Sequence, residues 1–303
     1  MGSGGVGGYF GARLAAAGAR VTFVARGVHL EAMKRDGLKV ESIVGNVHLT
    51  PTDATHDPAD VHDPVDCILL ATKAYDVANA ARQIAPIVGP ATTVVTLLNG
   101  VNSHEMVGAV VSPDRVIPGI AYVSAHIVGP GRIAHHGRAA KIVFGELSGQ
   151  RSPRCERLLA ACQKARFEAD VSADIMKALW AKFVLHVPLA GVSCLTRLPL
   201  DIVRSDAATA GLLQQAADEV VAVAKAKGIG VERPNFERVP RSTAAAAPVL
   251  KPSMLVDLER GRPIELDWAS TYIVEEGRRL GVATPVNAVI AAALAPWARG
   301  KPE

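Results

Sequence analysis

Gly2-Ser3-Gly4-Gly5-Val6-Gly7-Gly8 follows the first methionine, and its reading decides the fold. Gly2, Gly4 and Gly7 stand at the three glycine positions of G-x-G-x-x-G. In a Rossmann unit this pattern makes the turn between the first strand and the first helix. Its glycines permit a tight turn, close approach of backbone to a pyrophosphate, and close helix–strand packing. A bare glycine run can also be a flexible tail, so the residues that follow decide between the two. Val6, Phe10, Leu14 and Ala17 recur every three or four residues, the period of an amphipathic helix, and Gly18 is a natural stop. The helix half of the unit is therefore expected. Its strand half is missing, because only Met1 precedes the glycines.

Three hundred and three residues suit one large or two ordinary domains. With 49% apolar and 20% charged residues, a sizeable core can form and bulk disorder is excluded. The formal charge of +4 is spread along the chain without a Lys/Arg block, which argues against nucleic acid as a partner. Cys67, Cys155, Cys162 and Cys194 form no C-x-x-C pair and no metal-type cluster with histidine, so a reduced, cytoplasmic setting is expected. His135-His136 lacks carboxylate or cysteine company at metal spacing and reads as structural. The apolar tract from Gly281 to Ala298 is broken by Pro285, Asn287 and Pro296, which argues for a buried helix and against a membrane span.

The first half alternates strands and helices. Arg20–Ala25 reads as a strand, His29–Arg35 as a helix, and Val40–Leu49 as a hairpin around Gly45-Asn46. Cys67–Ala71 and Thr92–Leu98 read as strands buried on both faces, with Asp76–Ile87 helical between them. Three β-rich runs between Arg115 and Phe144 are broken at Gly129-Pro130-Gly131 and at Gly137. This alternation predicts a parallel doubly wound sheet. From about Asp174 the pattern becomes helical: Ile175–Leu195, Ser205–Lys227, Ser253–Arg260, Ile264–Leu280 and Pro285–Leu294, with Ala244–Ala247 helix-compatible. The expected organisation is an α/β Rossmann domain over residues 1–172 and an all-α domain over 173–303.

Several side chains stand where chemistry is expected. Arg26 closes the second strand, where NAD-type domains carry an acid for the ribose hydroxyls. An arginine there can pair with a 2′-phosphate, which favours NADPH. Lys73 and Asn99 follow two buried strands and would emerge at the carboxyl edge where doubly wound folds bind ligands. Lys182 lies in the apolar helical run Leu179–Leu185. It either snorkels to the surface or, facing a cleft, becomes a proton donor of lowered pKa. Glu265 after Pro263-Ile264 is either a charge favoured at a helix start or a functional carboxylate, and Ser253 after Pro252 suits an N-cap.

The landmarks Gly2–Gly8, Arg26, Thr72-Lys73-Ala74, Asn99-Gly100, Trp180-x-Lys182, Ser253-Met254-Leu255-x-Asp257 and Glu265-Leu266-Asp267 occur in an order and spacing more specific than any one of them. On these residues the chain resembles the ketopantoate reductase (2-dehydropantoate 2-reductase) family over nearly its full length. The resemblance implies a C-terminal helical domain similar to that of 6-phosphogluconate dehydrogenase. It also implies reduction of 2-dehydropantoate by NADPH in pantothenate biosynthesis. It makes Lys182 the general acid at the keto oxygen and assigns Glu265 to the cofactor ribose and the substrate hydroxyl. Ser253 would contact substrate, Asn99 both ligands, and Gly2, Gly4, Gly7, Arg26, Lys73 and Ala125 the cofactor. The partner is then a small 2-oxo acid, and the apolar helices allow either a monomer or a homodimer.

Two departures qualify that reading. The family places asparagines four and eight residues after the lysine, where this chain has His186 and Ala190. His186 offers a titratable contact and alanine none, so a different small 2-oxo acid is an alternative substrate. The absent strand is the second departure, and a non-catalytic dinucleotide-binding relative is the reading it would favour. We expect instead that Met1 is an internal methionine occupying the last strand position, with about five or six upstream codons encoding the rest of the strand.

Overall fold

The structure is a computed structural model that describes residues 1–239 and 251–302. The Ala244–Ala247 run lies outside the described residues. The chain divides into two compact units, Met1–Ala178 and Leu179–Glu303.

Unit 1 begins with helix α1 (Gly5–Ala16), whose Phe10 and Leu14 are buried as their spacing predicts. It ends at Gly18, where Gly18 N–H donates to the Ala15 carbonyl and Ala19 N–H to the Leu14 carbonyl. This paired closure is the Schellman arrangement, and the positive φ of Gly18 (92°) is what it requires. Then follow β1 (Phe23–Val24), α2 (Gly27–Asp36), β2 (Leu38–Ser42), β3 (Val47–Leu49), β4 (Ala54–Thr55), β5 (Cys67–Leu70) and α3 (Val77–Ile84). The unit continues with β6 (Thr93–Thr96), α4 (Ser103–Val111), β7 (Val116–Gly129), β8 (Arg132–Phe144), α5 (Pro153–Lys164) and β9 (Glu168–Val171).

The α/β class agrees with expectation, but the sheet differs from it. β1 pairs only with β4, in parallel. The other strands run in the order β3-β2-β8-β7-β6-β5, with β9 on β8, and the β7–β8 and β2–β3 pairs are antiparallel. The sheet is therefore mixed, because β7 and β8 join through the tight Gly129–Gly131 turn instead of a helical crossover. The three β-rich runs are in fact two long strands. Gly137 (φ 76°) does not end a strand. It lies in a bulge where the partner shifts from Ala140 to His136. The strand expected over Arg20–Ala25 shrinks to Phe23–Val24, and β5 alternates buried Ile68 and Leu70 with half-buried Cys67 and Leu69.

Both differences lie on either side of Met1. Its ammonium donates to the Leu69 carbonyl (2.9 Å), the Ala71 N–H donates to its carbonyl (3.0 Å), and Gly2 and Ser3 donate from their amides to the Val24 carbonyl (3.2 and 3.1 Å). Met1–Ser3, without forming a strand themselves, thus bridge β1 and β5 through these four hydrogen bonds. Helix α1 packs over β7 and β8, and the unit's core gathers Phe10, Met33, Leu38, Ile117, Ile133, Ile142 and Phe144 with the buried thiols Cys155 and Cys162.

Unit 2 is helical. It holds most of α6 (Ile175–Thr196), then α7 (Leu200–Val203), α8 (Ala207–Ala226), α9 (Ser253–Glu259), α10 (Ser270–Leu280) and α11 (Pro285–Leu294). Helix α6 is long and apolar enough to cross a membrane by composition, with mean hydropathy 1.5 in its most apolar stretch, yet 61% of that stretch is buried. The side chain of Asp206 caps α8 by accepting from Thr209 N–H. The cap of α11 comes from α8: the buried Glu219 carboxylate accepts from Val286 N–H (2.7 Å), Asn287 N–H (2.8 Å) and the Asn287 side-chain amide (2.7 Å). The single helix expected over Ile264–Leu280 is split. A 3₁₀ turn at Leu266–Trp268 and a non-helical Ala269 (φ −125°, ψ −108°) precede α10.

Helices α8 and α10 are tied by Glu276, which accepts from Arg279 Nε (3.0 Å) and Nη2 (2.8 Å) and pairs with Lys227. The Arg279 hydrogen bonds, helped by Lys227, hold its carboxyl down at about 2. A carboxylate with a depressed native pKa stabilises above its unfolded pKa and loses that contribution as pH falls toward the native value. Glu276→Gln is therefore expected to cost about 2 kcal/mol at neutral pH, with the deficit shrinking between pH 4.5 and 2 in denaturant titrations.

Candidate active site

In unit 1 the glycine-rich turn sits at the carboxyl end of the parallel strands. A Cβ on Gly2 would stand 2.8 Å from the Thr72 nitrogen, and one on Gly7 would stand 2.3 Å from the Gly2 oxygen. Gly5, which sequence reasoning passed over, is equally constrained, since its Cβ would stand 2.0 Å from the backbone oxygen of Ala125. At Gly8, also passed over, the Cβ would meet the side-chain end Ile133 Cδ1 at 2.2 Å, an atom that can move aside. Ala125, on β7, thus borders the turn through its carbonyl. The signal for Gly5 and Gly8 was present as glycines in excess of the motif. Gly4 is different, since a Cβ there would meet nothing within 4 Å.

Gly4 is also the N-cap of α1, and no side chain caps that helix. The first-turn amides of a twelve-residue helix therefore point out beside a glycine with open space. The Thr72 hydroxyl next to the turn is buried without a hydrogen-bond partner among the described residues. An open amide cradle and an orphaned hydroxyl fit the diphosphate and ribose of a dinucleotide.

The other expected groups of unit 1 lie at the same edge. Arg26 follows β1 as the N-cap of α2, is exposed, and donates from Nη2 to Gln83 Oε1 on α3 (3.1 Å). No sequence pattern signals Gln83. Lys73 follows β5 and Asn99 follows β6, two neighbouring parallel strands in register from Cys67↔Thr93 to Leu70↔Thr96. Both residues are half-buried.

In unit 2, Lys182 and His186 stand one turn apart on α6, both half-buried. Burial lowers the Lys182 pKa to about 8, and the nearby Glu265 carboxylate opposes part of that shift. Lys182 is thus a half-buried lysine of lowered pKa beside an acidic neighbour. Glu265 is 5% exposed and precedes the three-residue 3₁₀ turn, so it does not sit in the first turn of a long helix. The simple helix-dipole account of Glu265 therefore fails.

Trp180 and Phe183 meet Tyr272 of α10 at 6.4 and 6.0 Å between ring centroids, which fixes the rotation of α6 against α10. Ala190, the second position at which the family asparagines were expected, is fully buried in the core with Val192, Leu213 and Ile290. It is a packing residue. Ser253 is the first residue of α9, not its N-cap; that position belongs to Pro252, and Ser253 stays exposed. His135 is buried, bonded to Ser42 Oγ (2.8 Å) and the Ala139 carbonyl (3.0 Å), while His136 stacks on His126 at 4.9 Å.

Comparison with known proteins matches residues 1–149 to the family model "Ketopantoate reductase PanE/ApbA" and residues 174–297 to its C-terminal model. A 2-dehydropantoate 2-reductase from Mesorhizobium japonicum is 34% identical over 96% of this chain and 94% of its own. The chain belongs to the ketopantoate reductase family. The Geobacter metallireducens 2-dehydropantoate 2-reductase structure superimposes with a TM-score of 0.88 at 29% identity, covering 97% of each chain. A D-mandelate dehydrogenase solved with NADH and anilino(oxo)acetate reaches a TM-score of 0.89 at 21% identity, covering 98% of this chain and 96% of that one, a likeness of fold. A Bacillus subtilis relative, the uncharacterized oxidoreductase YkpB, is 29% identical over 94% of this chain and 93% of its own. Membership makes this chain an oxidoreductase acting between CH–OH and C=O, with a nucleotide-binding Rossmann-like unit.

The glycine geometry separates folding from binding. Gly5→Ala must displace the β7 backbone and is expected to lower the melting temperature sharply. Gly4→Ala (φ −78°, open space) is expected to leave melting nearly unchanged while weakening dinucleotide affinity about tenfold or more, read by fluorescence titration.

Proposed function

We propose that the protein reduces a small 2-oxo acid with NADPH, 2-dehydropantoate being the leading substrate. The observation that carries this reading is Lys182: a lysine with its pKa lowered to about 8, close to a buried carboxylate, in a chain of this family. A proton donor is most effective when its pKa lies near the working pH, since it is then both charged and willing to release its proton.

Gly2, Gly4, Gly7, Ala125 and the open end of α1 would hold the diphosphate, with Lys73 and Asn99 at the neighbouring strand ends. Arg26 would pair with a 2′-phosphate through two charge-assisted bonds, which is why NADPH is named over NADH. The bound nicotinamide supplies hydride to the keto carbon. Lys182 gives its Nζ proton to the keto oxygen as charge develops there, so carbonyl becomes hydroxyl and the lysine is left neutral until solvent reprotonates it. Glu265 favours the charged form of Lys182 and would accept from ribose and substrate hydroxyls; Ser253 and His186 would bear on the substrate.

A second reading within the same chemistry is a different small 2-oxo acid, favoured by His186. It donates or accepts where the family amide does both, and protonation would give it a charge suited to an added anionic group. A panel of 2-oxo acids with NADPH, compared by kcat/KM, separates the two; no turnover of any would overturn both. A non-catalytic relative has no use for a perturbed lysine with an acidic neighbour.

Reductive kcat/KM is expected to hold below pH about 8 and to fall above it, because the ammonium form of Lys182 is lost. Lys182→Ala should remove that limb and lower kcat by about a hundred- to ten-thousand-fold. Arg26→Asp should weaken NADPH over NADH by about 2 kcal/mol, roughly thirtyfold in Kd ratio. Equal losses for both cofactors would remove Arg26 from the 2′-phosphate.

A further inference from the structure

The histidine at the start of α2 has no role in the reading above, yet it touches the glycine-rich turn. His29 is 9% exposed and stands three residues after Arg26. Its Nε2 lies 3.0 Å from the Ser3 carbonyl oxygen, and its Nδ1 accepts from the Gly131 N–H at 3.0 Å. A carbonyl oxygen only accepts and a backbone N–H only donates. The two bonds together therefore require a neutral ring with its proton on Nε2. One imidazole joins three segments far apart in sequence: the glycine turn, the start of α2, and the β7–β8 turn, where Gly131 takes φ 68°.

The bond to Ser3 has a direct geometric consequence. The single cis peptide among the described residues is Thr50–Pro51, so the Ser3–Gly4 peptide is trans and planar. In a trans peptide the carbonyl and the following N–H point in opposite directions. With the Ser3 oxygen held on a buried imidazole, the Gly4 N–H is held facing away from it. Gly4 is the one glycine of the motif whose surroundings are open, and it caps α1.

We propose that His29 is a positioning residue for dinucleotide binding, fixing the Ser3–Gly4 peptide so that the Gly4 amide is presented to the diphosphate. This rests on the dinucleotide reading of the glycine turn. Burial, partly opposed by the Ser3 carbonyl, lowers the pKa of His29 and keeps the ring in the neutral form that both bonds need. The contact to Ser3 requires a donor at the Nε2 position, and the contact to Gly131 requires an acceptor at Nδ1. Glutamine can reproduce the first and asparagine the second.

The test compares His29→Gln, His29→Asn and His29→Ala in the whole chain, measuring NADPH and NADH Kd, kcat at saturating cofactor, and melting. The expected result is a Kd raised about tenfold in His29→Asn and His29→Ala, and largely restored in His29→Gln, with kcat within about twofold throughout. A purely structural histidine would move melting in all three without this split. Equal Kd in His29→Asn and the unsubstituted protein, or a fall in kcat at unchanged Kd, overturns the proposal. Where a variant does not fold, ring ¹⁵N spectra of the unsubstituted protein decide: a proton on Nδ1 overturns it, and a proton on Nε2 supports it. Failure of the unsubstituted protein to bind either dinucleotide would instead strike the parent reading.

Discussion

The placement of the glycine-rich turn in unit 1 depends on four hydrogen bonds made by residues 1–3. Met1 exchanges two with Leu69 and Ala71, while Gly2 and Ser3 both donate to the Val24 carbonyl. Each such bond contributes only about 1 kcal/mol net, but leaving its groups buried and unpaired would cost more than forming it gains. Without them the two-stranded β1–β4 ribbon would have no edge-on partner, and α1 would lose the anchor that aims its N-terminus. Arg26 leads out of that ribbon, so the guanidinium and the glycine cradle share one anchorage.

Much of this was legible because it follows from local rules. The spacing of Phe10 and Leu14 and the stop at Gly18 predict α1 within a residue of its observed ends. The hairpin at Gly45-Asn46 and the longer helices of unit 2 follow from the same periodicities, apart from the break at Ala269, whereas the four-residue α7 was not read from the sequence. What was not legible is set by partners distant in the chain. Gly137 reads as a strand break, yet tertiary pairing carries β8 through it as a bulge, because β7 continues opposite. Ala190 reads as a lost substrate contact, whereas the helices around it make it core.

The chemistry of unit 2 shows the same division. Lysine in an apolar helical run has two outcomes, and sequence alone cannot choose between them because burial is a property of the packed helix. The Trp180–Phe183–Tyr272 cluster sets how α6 is turned, and with it the setting of Lys182. Glu265 is in position because Pro263 and the short 3₁₀ turn delay the start of α10, a break that the smooth periodicity of Ile264–Leu280 conceals. Even Gln83 beside Arg26 is a gift of the sheet, since 57 residues separate them.

The sulfur atoms carry a consequence of another kind. Cys162 in unit 1 and Cys194 in unit 2 are fully buried, and burial pushes both thiols up to about 12. A thiol attacks as its thiolate, so neither can be alkylated at neutral pH while its unit is closed. Each opening event makes one of them reactive. Brief exposure to an alkylating reagent, followed by peptide mass analysis, would time the unfolding of the two units independently in a single tube, with the native thiols as the only reporters.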